Sequence, residues 1–237
     1  MSIKLENVVL ASPEQMKFVI EGMRNPMNSW KKSDSYENFE VSYDEETGSE
    51  IHHPYYRVGA TDNSLMQRLA NAGTDHRKYM RMMPIYVKIT APLYWWKEFD
   101  TYKVGTVANS CSTMHKITEK EFTLEDFSCE HLRTNRDFLM YAPTGYRYSS
   151  KDLLTLVIET LNHYRKEYLE TKDKEIWWQM IQLLPSSYNQ TRNVMLNYEV
   201  AANIYKSRKN HKLDEWIEFC KWLETLPHSK VITGIEE

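Results

Sequence analysis

Apolar residues at helical intervals, Met16, Val19, Ile20 and Met23, mark one face of a short helix. Its start is written just upstream. Ser12-Pro13-Glu14-Gln15 supplies an N-cap hydroxyl, a first-turn proline and a capping-box glutamine, after a short apolar run from Val8 to Leu10. From Arg24 to Glu50 the chain turns polar, with Asn-Pro, Asp-Glu-Glu and Thr-Gly-Ser, which predicts an excursion with room for a hairpin. A second helix is predicted over Asn63 to Ala72, stopped by Gly73. The period then changes. Between Pro84 and Pro92, Ile85, Val87 and Ile89 alternate with Tyr86, Lys88 and Thr90, the pattern of a strand bracketed by prolines. An aromatic-rich helix is expected over Leu93 to Tyr102, followed by a small, polar stretch from Gly105 to Thr113. The second half reads as helical. Ser150 caps a helix with Leu154, Val157, Ile158 and Leu161 on one face. Ile176, Met180 and Leu184 mark another that stops at Pro185. Val194, Tyr198, Ala201 and Tyr205 mark a third, and Trp216, Cys220 and Leu223 a fourth.

Composition narrows the class. The 237 residues are enough for a substantial core, and the absence of repeats or a low-complexity linker points to a single domain over 1–237. Sixteen Tyr and seven Trp against seven Gly favour packing, interfaces and pockets for flat ligands. A net charge of −3 gives no field for nucleic acid or an anionic membrane. Cys111, Cys129 and Cys220 have no CxxC spacing and are odd in number, which fits a reducing compartment. The first residues carry no secretory pattern and no apolar run is long enough for a membrane helix, so the expected location is the cytoplasm.

Generic chemistry is sparse. There is no Walker loop, no GxGxxG after a strand and no GxSxG elbow, and the histidines lack metal-ligand spacing, so no metal is expected. Two stretches stand out. In Gly105–Thr113, Ser, Thr and Asn offer hydrogen bonds without bulk, and Gly105 lets backbone approach closely. The stretch is either a ligand-facing loop or a plain polar connection. After Leu183-Leu184-Pro185 come Asn197, Glu199, Asn203 and Arg208, with 197, 201, 205 and 208 on one helical face. Here too an ordinary amphipathic helix is the alternative.

Taken in order, these pieces resemble the flavin-dependent thymidylate synthases. In that family a strand ending in Ala-Pro leads into a helix with an Arg-His-Arg signature and then an Asn-Glu-x-Ser-x-Arg segment. A Leu-Pro motif later opens a helix bearing Asn, Arg, Asn and Arg. Here Val87-Lys-Ile-Thr-Ala-Pro92 takes the strand's place. Leu184-Pro185 is followed at matching intervals by Asn197, Glu199, Asn203 and Arg208, with Trp216 near a family Trp. Leu69–His76 is similar to the family's Gly-His-Glu-Thr turn. Against the basic signature an ungapped register sets Thr101-Tyr102-Lys103. The preferred one-residue shift sets Tyr102-Lys103-Val104 and places Asn109 and Ser112 on the family's Asn and Ser, with Ser110 standing for Glu and Met114 for Arg.

The resemblance implies an α/β (α+β) fold, a central mixed or antiparallel sheet wrapped by helices, with a helical C-terminal half. It implies FAD held by Lys103, Asn109, Asn203 and Arg208. A pyrimidine deoxynucleotide such as dUMP would be held by Ser110, Ser112, Asn197 and Glu199. Methylenetetrahydrofolate and NADPH would be co-substrates, the assembly a homotetramer, and Cys111 no nucleophile. The departures cluster on the nucleotide side. Glu199 stands where the family has a phosphate-binding arginine, and a carboxylate about 4 Å from a phosphate charge is repelled by up to ~4 kcal/mol at an effective dielectric near 20. Arg133, Arg136, Arg147 and Arg192 are the candidates for substitute charge, and Arg192 or Arg147 for a bridge to Glu199.

Overall fold

The computed structural model describes residues 3–112, 116–135, 138–139 and 147–234. Helices and strands are interspersed through the first half. β1 (Lys4–Leu10) leads to α1 (Pro13–Arg24), then to the hairpin strands β2 (Tyr36–Tyr43) and β3 (Glu50–Arg57), α2 (Ala60–Asn71), α3 (Lys78–Arg81), β4 (Pro84–Pro92) and α4 (Leu93–Phe99). After β5 (Val107–Ser110) and the two-residue strands β6 (Phe138–Leu139) and β7 (Arg147–Tyr148) come α5 (Ser150–Thr171) and α6 (Lys174–Leu183). The chain ends with β8 (Asn189–Asn197), α7 (Tyr198–Arg208), α8 (Asp214–Glu224) and α9 (Lys230–Thr233). One sheet has the order β1-β4-β8-β5; β2 pairs with β3 and β6 with β7 in two antiparallel ribbons. The fold is α/β, with a helix-rich C-terminal half.

Two units divide the chain. The first comprises Met1–Leu5, Ile89–Thr101 and Asn109–Arg192; the second comprises Glu6–Lys88, Tyr102–Ala108 and Asn193–Glu237. The core of the first gathers Ile117, Phe122, Phe127, Leu154, Ile158, Leu161 and Met180, with Trp177 and Tyr188 packed against it. Asn162 closes that core by exchanging two hydrogen bonds with the Phe122 backbone, at 2.8 and 2.9 Å. In α4, Trp95 stacks on Phe99 and meets Trp96 edge-on, so the aromatic run is buried packing.

In the second unit, α1 carries the predicted capping box: Gln15 N–H donates to Ser12 Oγ and Ser12 N–H to the Gln15 side chain. Met16, Val19, Ile20 and Met23 are its buried face. Around α1 and α2 lies a buried ion pair. Arg24 Nε donates to Asp62 Oδ1 at 2.6 Å, with the two side chains 3% and 0% exposed. Ser33 and Ser35 hydroxyls donate to Asp62 Oδ2, each at 2.6 Å. The β2–β3 ribbon runs in unbroken register from Tyr36↔Arg57 to Tyr43↔Glu50. The expected excursion is thus a hairpin that continues well past Glu50. Its largely exposed faces, with Phe39, Val41, Tyr43 and Ile51 open to solvent, leave no buried alternation to read.

Several boundaries differ from the sequence reading. α2 begins at Ala60 because its first amides are capped from a distance: Thr61 and Asp62 N–H donate to the Asp34 carboxylate. The cap of α5 is Ser149, which exchanges side-chain and backbone hydrogen bonds with Asp152 in a capping box. The aromatic helix stops at Phe99, where Asp100 pairs with Arg192. Most consequential, Leu184-Pro185 does not open a helix. A turn and strand β8 follow, so Val194 lies in a strand and Asn197 precedes α7 as its N-cap.

Candidate functional site

Two stretches singled out in the sequence meet inside the second unit. Gly105 adopts φ +78°, and a Cβ there would sit 2.8 Å from Asn197 Nδ2 and 3.1 Å from Val200 Cγ2. The close approach predicted for this glycine is therefore to the N-cap of α7. Asn197 Oδ1 accepts from Val200 N–H at 3.0 Å, closing the first turn of the helix. At the other end of α7, Arg208 Nε donates to the Tyr102 hydroxyl at 3.0 Å, and its guanidinium carbon lies 4.9 Å from the centre of the Trp216 ring. Its Nη1 is 3.0 Å from His211 Nε2. A planar cation on an indole face with a phenol partner is a strongly ordered arrangement. The segment 102–105 thus reaches both ends of α7.

Between these anchors, Lys103 and Asn203 are exposed. Neither carries a side-chain hydrogen bond among the described residues. Glu199 and Asn203 are one helical turn apart and share a face of α7, whereas Asn197, outside the helix, belongs to neither face. That replaces the expectation of 197, 201, 205 and 208 on one helical stripe.

Glu199 has a partner that the sequence reading missed. Arg81, at the end of α3, grips it with two nitrogens: Nε donates to Oε2, and Nη2 to Oε1 at 3.1 Å. Arg81 Nη2 also donates to the Thr74 carbonyl at 3.3 Å. The ion pair raises the Arg81 pKa above its ordinary value. Arg192 and Arg147, the partners anticipated, are elsewhere. Arg192 pairs with Asp100 at 2.7 Å and lies 4.2 Å from the Trp96 ring centre, both in the first unit, and Arg147 and Arg133 are exposed. Arg136, Thr113 and Met114 lie outside the described residues. The expected result of Glu199→Arg follows from the pair. Two guanidinium groups would face one another, and stability should fall by about 1–2 kcal/mol, kept modest because the Arg81 side chain is 43% exposed. The swap Arg81→Glu with Glu199→Arg should recover at least half of it in a double-mutant cycle read by urea denaturation. A neutral single substitution would remove the pair from the energetics.

In the first unit, Asn109, Ser110, Cys111 and Ser112 are all exposed. Val107–Ser110 is strand β5 rather than loop, and Cys111 N–H donates to the Thr191 carbonyl at 2.9 Å. The Gln190 side chain donates to the Cys111 carbonyl at 3.2 Å. Of the cysteines, Cys220 is buried, and burial pushes its thiol pKa up to about 12, which keeps it protonated and inert.

With this geometry in place, solved structures supply the comparison. The chain matches the flavin-dependent thymidylate synthase ThyX of Helicobacter pylori, complexed with FAD and dUMP, over 100% of both chains, with a TM-score of 0.62 at 16% identity. A second H. pylori ThyX structure with FAD and dUMP matches at 0.61 and 16%, over 98% of this chain and 96% of that one. The fold is that of the flavin-dependent thymidylate synthases. The UMP/dUMP methylase PolB of Streptomyces cacaoi, bound with 5-Br dUMP, matches at 0.56 and 12%, over 99% of this chain and 96% of that one. No protein-family profile matches the sequence, and no curated protein matches it either. Likeness at this identity lies in the backbone. No helix among the described residues is long and apolar enough to cross a membrane.

Proposed function

We propose that this chain is a divergent flavin-dependent thymidylate synthase-like protein that methylates or reductively modifies a pyrimidine deoxynucleotide such as dUMP, acting as a cytoplasmic homotetramer of single-domain subunits. One observation carries the reading. In a chain with the thymidylate synthase fold, the segment assigned to the basic signature is laid along the helix assigned to the Asn-x-Arg pattern. The side chains fit a flavin. Lys103, Asn109 and Asn203 are exposed donors with no side-chain hydrogen bond among the described residues, suited to phosphate and ring carbonyls. Arg208, the fourth residue assigned to it, is held flat by Trp216 and Tyr102 and presents a fixed cation beside them. The flavin, when bound and reduced, supplies hydride, with methylenetetrahydrofolate and NADPH as co-substrates. Ser110, Ser112 and Asn197 are assigned to the nucleotide. Arg81 neutralises the Glu199 charge that would repel a phosphate, leaving the pair with no net charge.

The test is flavin uptake. The purified protein should be yellow with flavin absorbance, and Lys103→Ala should weaken FAD binding by ~1.5–3 kcal/mol, the loss of one charge-assisted hydrogen bond. Protein that stays colourless and takes up no FAD in equilibrium dialysis overturns the flavoprotein reading. A second reading is favoured by Glu199 and Arg208 both being engaged by neighbouring side chains. It is a homologue that keeps the scaffold as a nucleotide- or protein-binding tetramer without turnover. Incubation with dUMP, FAD, the folate and NADPH separates the two by whether methylated product forms.

A further inference from the structure

A cavity of about 320 Å³ opens within the second unit, and none of the residues assigned to flavin or nucleotide lines it. Its walls are Leu10 and Ala11 at the end of β1, Pro13 and Met16 of α1, Pro54, Tyr55 and Tyr56 of β3, Met83, Tyr198, Pro227 and His228. The volume is at the lower end of small-molecule sites, enough for one or two fused rings. No Lys, Arg, Asp or Glu is among the described residues of the lining, so a charged ligand would lose its hydration without a counter-charge from them. The polar groups on the wall are few, and two are committed. The Tyr198 hydroxyl donates to the Pro227 carbonyl at 2.7 Å, and the Tyr56 hydroxyl is influenced by the Ser35 side chain, which works against the rise in its pKa that burial causes. Two others have no hydrogen-bond partner among the described residues: the Tyr55 hydroxyl and the His228 ring. His228 also holds a left-handed backbone, φ +56°, a conformation uncommon outside glycine. Burial lowers its pKa below the ordinary histidine value, so near neutral pH the imidazole is uncharged and has one nitrogen to donate and one to accept.

We propose that this cavity is a binding site for a small, uncharged aromatic molecule bearing a hydroxyl group, a phenol-class ligand whose ring packs between Met16 and Met83 and whose hydroxyl is met by the His228 ring and the Tyr55 hydroxyl. Apolar and aromatic walls favour the ring, the uncommitted imidazole selects the hydroxyl, and the absence of charge excludes carboxylates. The assignment is independent of any flavin chemistry.

Ligand-observed NMR titration of the full chain with p-cresol, toluene and benzoate tests it. p-Cresol is expected to bind saturably and at least ten-fold tighter than toluene, with benzoate not binding. His228→Leu should reduce p-cresol affinity about ten-fold and leave toluene unchanged, and Ala11→Phe should exclude both by filling the cavity. Because a leucine in a left-handed backbone can compromise folding, Tyr55→Phe is read in parallel; it makes no backbone demand and should narrow the p-cresol to toluene ratio. Equal binding of p-cresol and toluene, p-cresol affinity unchanged in Ala11→Phe, or benzoate binding as tightly as p-cresol overturns the proposal.

Discussion

Asp62→Ala should cost this protein about 3–5 kcal/mol, the range for removing one partner of a buried ion pair. The reason is what remains behind. Arg24 is 3% exposed, Asp62 is its charged partner, and Arg24 Nη2 already has no hydrogen-bond partner among the described residues. Losing the carboxylate leaves a buried guanidinium with, among the described residues, only the Ser29 carbonyl and hydroxyl, at 3.3 and 3.4 Å, to satisfy it. The Ser33 and Ser35 hydroxyls lose their acceptor in the same step. Asp62→Asn keeps the shape and one acceptor while removing the charge, so its cost should be smaller. In a chain of 237 residues, 3–5 kcal/mol corresponds to a fall in Tm of roughly 6–20 °C, readable by thermal and urea denaturation. An Asp62→Ala protein within 1 kcal/mol of the parent would show that the Arg24 cluster rearranges freely.

Gly105→Ala is expected to be the next most damaging change, by about 2–3 kcal/mol. A left-handed backbone costs an L-residue roughly 1–2 kcal/mol, and disturbing an Asn cap about 1 kcal/mol more. The new methyl would be directed at Asn197 Nδ2, on the same amide whose oxygen closes the first turn of α7, so neither atom can move aside without loosening the helix. Urea denaturation measures the total. Pairing the substitution with Asn197→Ala separates its parts: if the clash is the cause, the double variant should be less destabilised than the sum of the singles. Strict additivity would locate the cost in the backbone angle alone.

What the sequence made legible follows from where its signals are local. The capping box at Ser12 and the alternation of Ile85, Val87 and Ile89 are each encoded within a few residues, and both stand as read. Val194 reads as helical in the sequence because it falls four residues before Tyr198 and seven before Ala201, a coincidence of helical spacing across a strand-to-helix junction. β8 begins with Asn-Gln-Thr-Arg-Asn, a polar run without alternation, and its buried pair Val194 and Leu196 is too short to outweigh that coincidence. The start of α2 was displaced for a different reason: its cap is Asp34, a side chain from beyond the hairpin. Arg81 escaped notice because nothing local marks it. It is one of several basic residues in Arg77-Lys78-Tyr79-Met80-Arg81, and only the folded chain puts it against Glu199. Order and spacing of motifs carried the fold, while charges that compensate one another across the chain were invisible.

The strand order has a consequence for how the chain comes to be made. β1 opens at Lys4, its neighbour β4 at Pro84, and β4's other neighbour β8 only at Asn189. Such distant pairings place this protein among slow folders, because loop closure must precede any gain from the ladder. During synthesis, β4 leaves the ribosome with Ile85, Val87 and Ile89 ready for burial while the strand that completes its pairing is not yet translated. Until Asn197 has emerged, the nascent chain exposes an incomplete sheet, the kind of surface that chaperones hold and that aggregates in their absence.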